Sequence, residues 1–179
     1  MKAIQTRYNG YLFRSRLEAR WAVFFDALGL KWEYEPEGFD LGSPHGYYLP
    51  DFRIRIPQGH ISWYEVKRQD FGECEKIAEL GRQWKRSHLT GPRQTFFTLQ
   101  GDPLVVLNEE GSAVACCRCG NLAPWRFPET YDAAICDLCL LRRTEATDAM
   151  VEQGPFAFDK LCSAGVKARS ARFEHGERS

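Results

Sequence analysis

Residues 47–67 contain two runs of strand-like sequence, YYLPDFRIRI and ISWYEVK, which are separated only by PQGH. In the first run the apolar residues Phe52 and Ile54 alternate with charged residues, and side chains that alternate in this way point to opposite faces of a strand. A connection as short as PQGH joins neighbouring antiparallel strands. The segment therefore predicts a β-hairpin with one apolar face and one polar face.

Helices are predicted on both sides of this hairpin, and further strands beside it. Residues 14–29 and 73–88 carry apolar side chains at helical spacing, whereas 31–35 and 94–99 have strand-like composition. The order of helix, three strands, helix and strand predicts an α/β fold in which a mixed sheet is flanked by helices. The apolar stripe of the first helix consists of Leu17, Trp21, Phe24 and Leu28.

The character of the sequence changes at residue 112, beyond which cysteines are frequent and long apolar runs are rare. We therefore predict an α/β domain at 1–110, a cysteine-containing lobe at 111–143, and a C-terminal helix with a polar tail at 144–179. No apolar run reaches the roughly 20 residues that a membrane span needs. The first residues also lack the apolar core of a secretory leader. These features predict a cytoplasmic protein with no membrane partner.

Three residues of the hairpin can form a site. Glu65 and Lys67 are two residues apart in a strand, so their side chains leave the same face, and Asp51 lies on the partner strand. Two carboxylates suit Mg²⁺, which prefers oxygen ligands and keeps several waters. A lysine beside them can orient an attacking water or neutralise charge on a phosphoryl group. Taken separately, Pro-Asp is also a common turn and Glu-Val-Lys a common exposed strand triplet.

Glu18 of the first helix is the third carboxylate that can complete this cage. It lies three residues after Ser15 and just before an apolar run, which is also the signature of a capping box. Glu18 can therefore close the helix N-terminus, assist a metal, or do both. By contrast, Glu33, Glu35 and Glu37 alternate with aromatic residues and a proline, and we interpret them as the solvated face of a strand.

Four motifs follow one another within residues 11–69, and they are FRSRLE, EYE, LPDF and YEVK. In this order they resemble the phage endonuclease I family of Holliday-junction resolvases, which belongs to the PD-(D/E)xK nuclease superfamily. The resemblance implies a restriction-endonuclease-like fold, with Arg14 and Ser15 supporting the site. The sequence departs from the family pattern at Arg68, a position after the lysine where family members frequently have glycine. The catalytic set that the resemblance implies is Glu18, Asp51, Glu65 and Lys67.

This resemblance implies an endonuclease that hydrolyses DNA phosphodiester bonds with Mg²⁺ or Mn²⁺. In that interpretation Asp51 and Glu65 hold the metal, Glu18 assists it, and Lys67 stabilises the attacking or developing charge. Resolvases of the resembled family act as dimers, so a homodimer is expected, as is a phage or mobile-element origin. Transposon-end endonucleases of the superfamily share a similar frame, so the resemblance leaves open whether the substrate is a junction, another branched DNA or a specific site.

Basic residues are clustered rather than in excess, because the formal net charge is zero. A nuclease needs acidic groups for metal as well as basic groups for phosphate, so this balance does not exclude one. Basic side chains of the two helices can track a phosphate backbone or simply face solvent. The residues predicted on this basis to bind nucleic acid are Arg14, Arg16, Arg20, Lys85 and Arg86.

Two CxxC pairs lie in the second half of the chain, with sixteen residues between them. This spacing predicts a structural Zn²⁺ site in a zinc-ribbon-like or knuckle-like lobe, because two such turns present four thiolates in a closed tetrahedron. Unliganded cysteines are the alternative, and Cys117 is an extra thiol with poorer spacing. For the whole chain, the alternative to a nuclease is a catalytically silent, zinc-stabilised module that binds nucleic acid or protein. The predicted zinc ligands are Cys116, Cys119, Cys136 and Cys139.

Overall fold

The computed structural model describes residues 3–56, 60–69, 71, 74–87, 94–103, 113–115, 122–124 and 158–173. Within these ranges the elements are β1 (Thr6–Tyr8), β2 (Tyr11–Phe13), α1 (Arg16–Ala27), β3 (Lys31–Tyr34), β4 (Phe39–Asp40), β5 (Tyr47–Tyr48), β6 (Phe52–Ile56), β7 (His60–Lys67), α2 (Glu75–Ser87), β8 (Gln94–Gln100), β9 (Ala113–Ala115), β10 (Leu122–Pro124) and α3 (Phe158–Ser170).

The central sheet has four strands in the order β3, β6, β7 and β8. β6 pairs with β3 and β7 in antiparallel fashion, and β7 pairs with β8 in parallel. Parallel neighbours need a crossover connection, and α2 lies in the chain between them. The predicted hairpin is confirmed as β6 and β7, and so is the prediction of a mixed sheet flanked by helices.

The helix α1 begins and ends where its sequence provides caps. Ser15 is the N-cap, with extended backbone, and its Oγ accepts a hydrogen bond from the Glu18 N–H at 3.2 Å. At the other end Gly29 has a φ of +71°, the left-handed conformation that commonly follows a helix. The buried face of α1 is wider than the predicted stripe, because Ala22 and Phe25 are fully buried as well.

This face packs on one side of the sheet. Phe25 contacts the rings of Phe52 and Tyr64, at centroid distances of 5.2 and 6.1 Å. Burial of large aromatic side chains is the main source of stability in a domain of this size. The other side of the sheet carries a smaller cluster to which α2 contributes Ile77 and Leu80. Both faces of the sheet are therefore covered.

The predicted first strand of the hairpin, residues 47–56, is interrupted in the structure. Tyr47 and Tyr48 form β5 and pair with β4, whereas β6 begins only at Phe52. Pro50 lacks the N–H that a central strand would donate, which is a physical reason for the break. The interruption leaves Asp51 in the last position before β6.

The C-terminal helix α3 packs against α1. Ala164 and Ala168 are buried in the same core cluster as the α1 aromatics. Beyond the helix, the ring of Phe173 meets that of Tyr8 edge-on at 6.2 Å. The helix expected within 144–179 is thus present at Phe158–Ser170, and it belongs to the core of the α/β domain. None of the helices in the described ranges has the length and apolar character needed to span a bilayer.

Candidate active site

Asp51 lies directly opposite Glu65. Phe52 of β6 pairs with Tyr64 of β7 in antiparallel register, and extending this register by one residue places Asp51, just before β6, across from Glu65. The Asp51 side chain is almost inaccessible, with 3% of the residue exposed. Its Oδ2 accepts a hydrogen bond from the Val66 N–H at 2.7 Å, and its Oδ1 accepts one from Arg14 Nη2 at 2.9 Å. The hairpin thus fixes Oδ2, and Arg14, which precedes α1, fixes Oδ1.

Glu65 and Lys67 leave the same face of β7, as the spacing predicted. Glu65 is 5% exposed, and its Oε2 accepts a hydrogen bond from the Tyr48 hydroxyl at 2.7 Å. Its Oε1 lies 2.5 Å from Lys67 Nζ. Burial lowers the pKa of Lys67, but the hydrogen bond and charge of Glu65 outweigh burial, so the net pKa is raised. The ammonium is therefore held charged beside the two carboxylates.

Glu18 is buried at the start of α1, with 7% of the residue exposed. Its Oε2 accepts hydrogen bonds from the Tyr34 hydroxyl at 2.6 Å and from the Arg14 N–H at 3.1 Å. The Ser15 hydroxyl donates to Oε1 at 2.6 Å. The Ser15–Glu18 pair thus forms one half of a capping box. The other oxygen of the Glu18 carboxylate accepts from Tyr34 and from the Arg14 N–H.

The three carboxylates share one electrostatic environment. Burial raises the pKa of Asp51 well above its usual range, and the charges of Glu65 and Glu18 raise it further. The Val66 N–H and the Arg14 guanidinium act in the opposite direction but do not cancel the effect. Like charges that are brought together in a desolvated place favour either a proton or a cation.

The donor set suits Mg²⁺ or Mn²⁺, because it consists of carboxylate oxygens. In the part of the chain that the structure describes, no three His, Cys, Asp or Glu side chains are already arranged as a metal cage. The carboxylate oxygens of Asp51, Glu65 and Glu18 instead accept hydrogen bonds from Arg14, Lys67 and two tyrosines. Asp51 and Glu65 fit as ligands, and Glu18 fits as a neighbouring charge.

The predicted nucleic-acid-binding residues occupy different places. Arg14 contacts the site directly, whereas Arg20 forms an ion pair with Asp102 at 2.8 Å. Arg16 is half-buried in the first turn of α1. Lys85 and Arg86 are exposed in the last turn of α2, about 15 Å along the helix axis from its first residue.

Three residues of the site were not predicted from the sequence: Tyr34, Tyr48 and Glu35. The tyrosines donate to Glu18 and Glu65 and are positioned only by tertiary contacts. Glu35 was interpreted as part of a solvated face, which is wrong for this residue. Its side chain is 23% exposed and lies 2.5 Å from Arg14 Nη2, and its N–H donates to the Asp51 carbonyl at 2.9 Å.

The predicted zinc ligands Cys116, Cys119, Cys136 and Cys139 lie outside the described residues. The strands β9 and β10, which flank the first CxxC pair in sequence, form an antiparallel pair with Ala115 opposite Leu122. The four-thiolate site stays a prediction.

Comparison of the chain with protein-family models, with curated proteins and with solved structures found no match.

Proposed function

We propose that this protein is a metal-dependent endonuclease that hydrolyses phosphodiester bonds in DNA. The observation that carries the proposal is the placement of Asp51 opposite Glu65, with the Lys67 ammonium beside them. Buried carboxylates at such proximity destabilise a fold unless a cation or proton compensates them. A chain whose only need was packing or binding would gain nothing from this arrangement.

Each part of the site has a task in hydrolysis. A bound Mg²⁺ or Mn²⁺ would lower the pKa of its water and stabilise negative charge on the phosphoryl oxygens. Val66 and Tyr48 hold the Asp51 and Glu65 carboxylates in fixed orientations through their hydrogen bonds. Lys67 places a positive charge where the attacking or departing oxygen becomes negative.

Glu18 has two tasks in this proposal. Glu18 accepts a hydrogen bond from the Ser15 hydroxyl at the helix N-terminus, and its charge raises the pKa of Asp51. A third negative charge increases the attraction of the site for a divalent ion and orients the waters around it. The arrangement of helix, hairpin and parallel β8 around these residues is the reason to propose a restriction-endonuclease-like domain.

The test is a cleavage assay with linear, nicked, supercoiled and four-way DNA, in the presence of Mg²⁺ or of EDTA. We expect cleavage of at least one substrate with Mg²⁺ only. Asp51→Asn is the variant that tests the site, because its amide oxygen keeps an acceptor for the Val66 N–H. The substitution also leaves the cysteines of the predicted zinc site unchanged. We expect its cleavage rate to fall at least ~100-fold, as for loss of a catalytic electrostatic contact.

Two results would count against the proposal. Binding of DNA without cleavage of any of the four forms would indicate the catalytically silent module instead. Cleavage that Asp51→Asn leaves unchanged would place the active site elsewhere in the chain. Comparison of the four substrates also shows whether branched DNA is preferred.

A further inference from the structure

The Arg14 guanidinium bridges two carboxylates. Its Nη2 lies 2.9 Å from Asp51 Oδ1 and 2.5 Å from Glu35 Oε1. The contact with Asp51 is a hydrogen bond, whereas the contact with Glu35 is an ion pair without good hydrogen-bond alignment. One cationic nitrogen is therefore shared by Asp51, a ligand of the proposed metal site, and by Glu35, which is not one of the proposed ligands.

Glu35 is held in this position by its backbone. It has a φ of +45°, a left-handed conformation that is uncommon for a residue with a side chain. Its N–H donates to the Asp51 carbonyl, so the two residues are tied together at the point where β3 ends and β6 begins. Such strain persists where surrounding structure enforces it, and it is concentrated at functional sites.

We infer that Arg14 is an internal counter-ion of Asp51 that a divalent metal ion has to displace, and that Glu35 retains the displaced guanidinium beside the site. This inference rests on the metal site of the proposed function. It makes Glu35 a positioning residue that acts through Arg14.

The exchange is physically simple, because the Arg14 side chain is 56% exposed and needs no further desolvation to move. A guanidinium has five donors in a fork, so loss of the Asp51 contact leaves others free for Glu35 and for a phosphate oxygen. The backbone N–H of Arg14 stays bonded to Glu18 and Tyr34, which limits the movement to the side chain.

The test measures Mn²⁺ binding to the full chain by calorimetry or by electron paramagnetic resonance, without DNA. The wild-type protein is compared with Arg14→Ala, and binding that persists in Asp51→Asn is subtracted. Removal of the competitor is expected to tighten Mn²⁺ binding about threefold to fivefold, the range that partly exposed ion pairs support. Arg14→Gln, which keeps a neutral donor, should give the same direction if the alanine variant folds poorly.

The control for general electrostatics is Arg7→Ala, which removes an exposed positive charge from β1. Its Mn²⁺ affinity should equal that of the wild type. The specific role of Glu35 requires a double-mutant cycle. Glu35→Gln should weaken Mn²⁺ binding in the wild-type background, because Arg14 then concentrates on Asp51, and should have no effect in the Arg14→Ala background.

The outcomes separate this inference from the proposed function. If the wild-type protein shows no Mn²⁺ binding that depends on Asp51, the metal site itself is refuted. If such binding exists but Arg14→Ala leaves it unchanged or weakens it, the counter-ion role is refuted while the metal site stands. An equal effect of Glu35→Gln in both backgrounds would mean that Glu35 acts through its own charge.

Discussion

Asp51 is a carboxylate at a buried position, where its negative charge destabilises the fold unless it is compensated. The side chain is buried and opposite Glu65, and the Val66 N–H and the Arg14 guanidinium, with the nearby Lys67 ammonium, compensate its ionisation in part. An isolated buried charge would cost several kcal/mol, so the partners determine whether the metal-free protein carries a proton at this position. The negative charge of Asp51 thus lowers the stability of the fold, and the proposed metal site needs the same charge.

The first prediction concerns the stability of Asp51→Asn without added metal. Burial, together with Glu65 and Glu18, raises the folded-state pKa of Asp51 above its unfolded value. The stability that this group contributes is therefore present below about pH 4 and is lost as the pH rises toward the folded-state pKa. The neutral amide is exempt from this loss. We expect Asp51→Asn to unfold at a higher temperature than the wild type at about pH 8, by a margin that shrinks toward about pH 4.

Thermal unfolding across this pH range, in buffer free of divalent ions, measures the effect. Added Mg²⁺ should stabilise the wild type and leave Asp51→Asn unchanged, since binding to the native state raises the unfolding temperature. A variant less stable than the wild type at every pH would show that the ion pair with Arg14 outweighs desolvation.

The second prediction separates the capping and catalytic roles of Glu18. Glutamine also serves at the third position of a capping box, so Glu18→Gln should unfold within a few degrees of the wild type. The loss of a negative charge beside Asp51 should nevertheless lower the cleavage rate about 100-fold. Glu75→Gln, which removes an exposed charge from α2, is the matched control. Unchanged turnover in Glu18→Gln would restrict the residue to its capping role.

The sequence predicted some of these residues and not others for a definite reason. Glu65 and Lys67 follow regular strand alternation, so their common face could be read from spacing alone. Glu35 breaks that rule, because a left-handed residue redirects the chain and β3 ends one residue earlier. Tyr48 belongs to a separate two-residue strand, which the continuous run 47–56 concealed.

At the level of elements, local periodicity identified the main helices and strands and said little about their partners. α1 and the β6–β7 hairpin were predicted because their apolar residues recur at regular spacing. The parallel pairing of β8 with β7 and the packing of α3 on α1 depend on contacts between residues far apart in sequence. Such contacts leave no periodic signal in the elements that make them.

The third prediction tests the contact between α3 and α1. Ala168 is fully buried in the core that α1 shares, so a larger side chain at this position has no space. Ala168→Leu should lower the free energy of unfolding by about 1–3 kcal/mol, the usual cost of overpacking. Val166→Leu enlarges an exposed residue of the same helix and should change it little. Chemical denaturation measures both, and equal stability of the two variants would argue against this packing.

At the scale of the whole molecule, the two CxxC pairs provide a fourth prediction. A four-thiolate site implies about one Zn per chain in reduced, freshly purified protein. Cys119→Ser should lose that zinc and destabilise the segment that contains it, because metal binding of this kind is coupled to folding. The buried Cys74 lies outside the pattern, and Cys74→Ser should keep the metal. Elemental analysis that finds no zinc in the wild type would refute the site.

The return of α3 to α1 changes what a break in the chain would do. Trp21 donates to the Gly101 carbonyl at 3.0 Å and Arg20 pairs with Asp102, so the chain is anchored on α1 at residues 101–102. It is anchored there again through Ala164 and Ala168. The sequence between residues 103 and 158, which contains both CxxC pairs, is therefore preceded and followed by segments that contact α1. We expect a protease cut between these two segments to leave two fragments that remain associated and copurify, whereas a stop codon at the same place would remove α3 from the core.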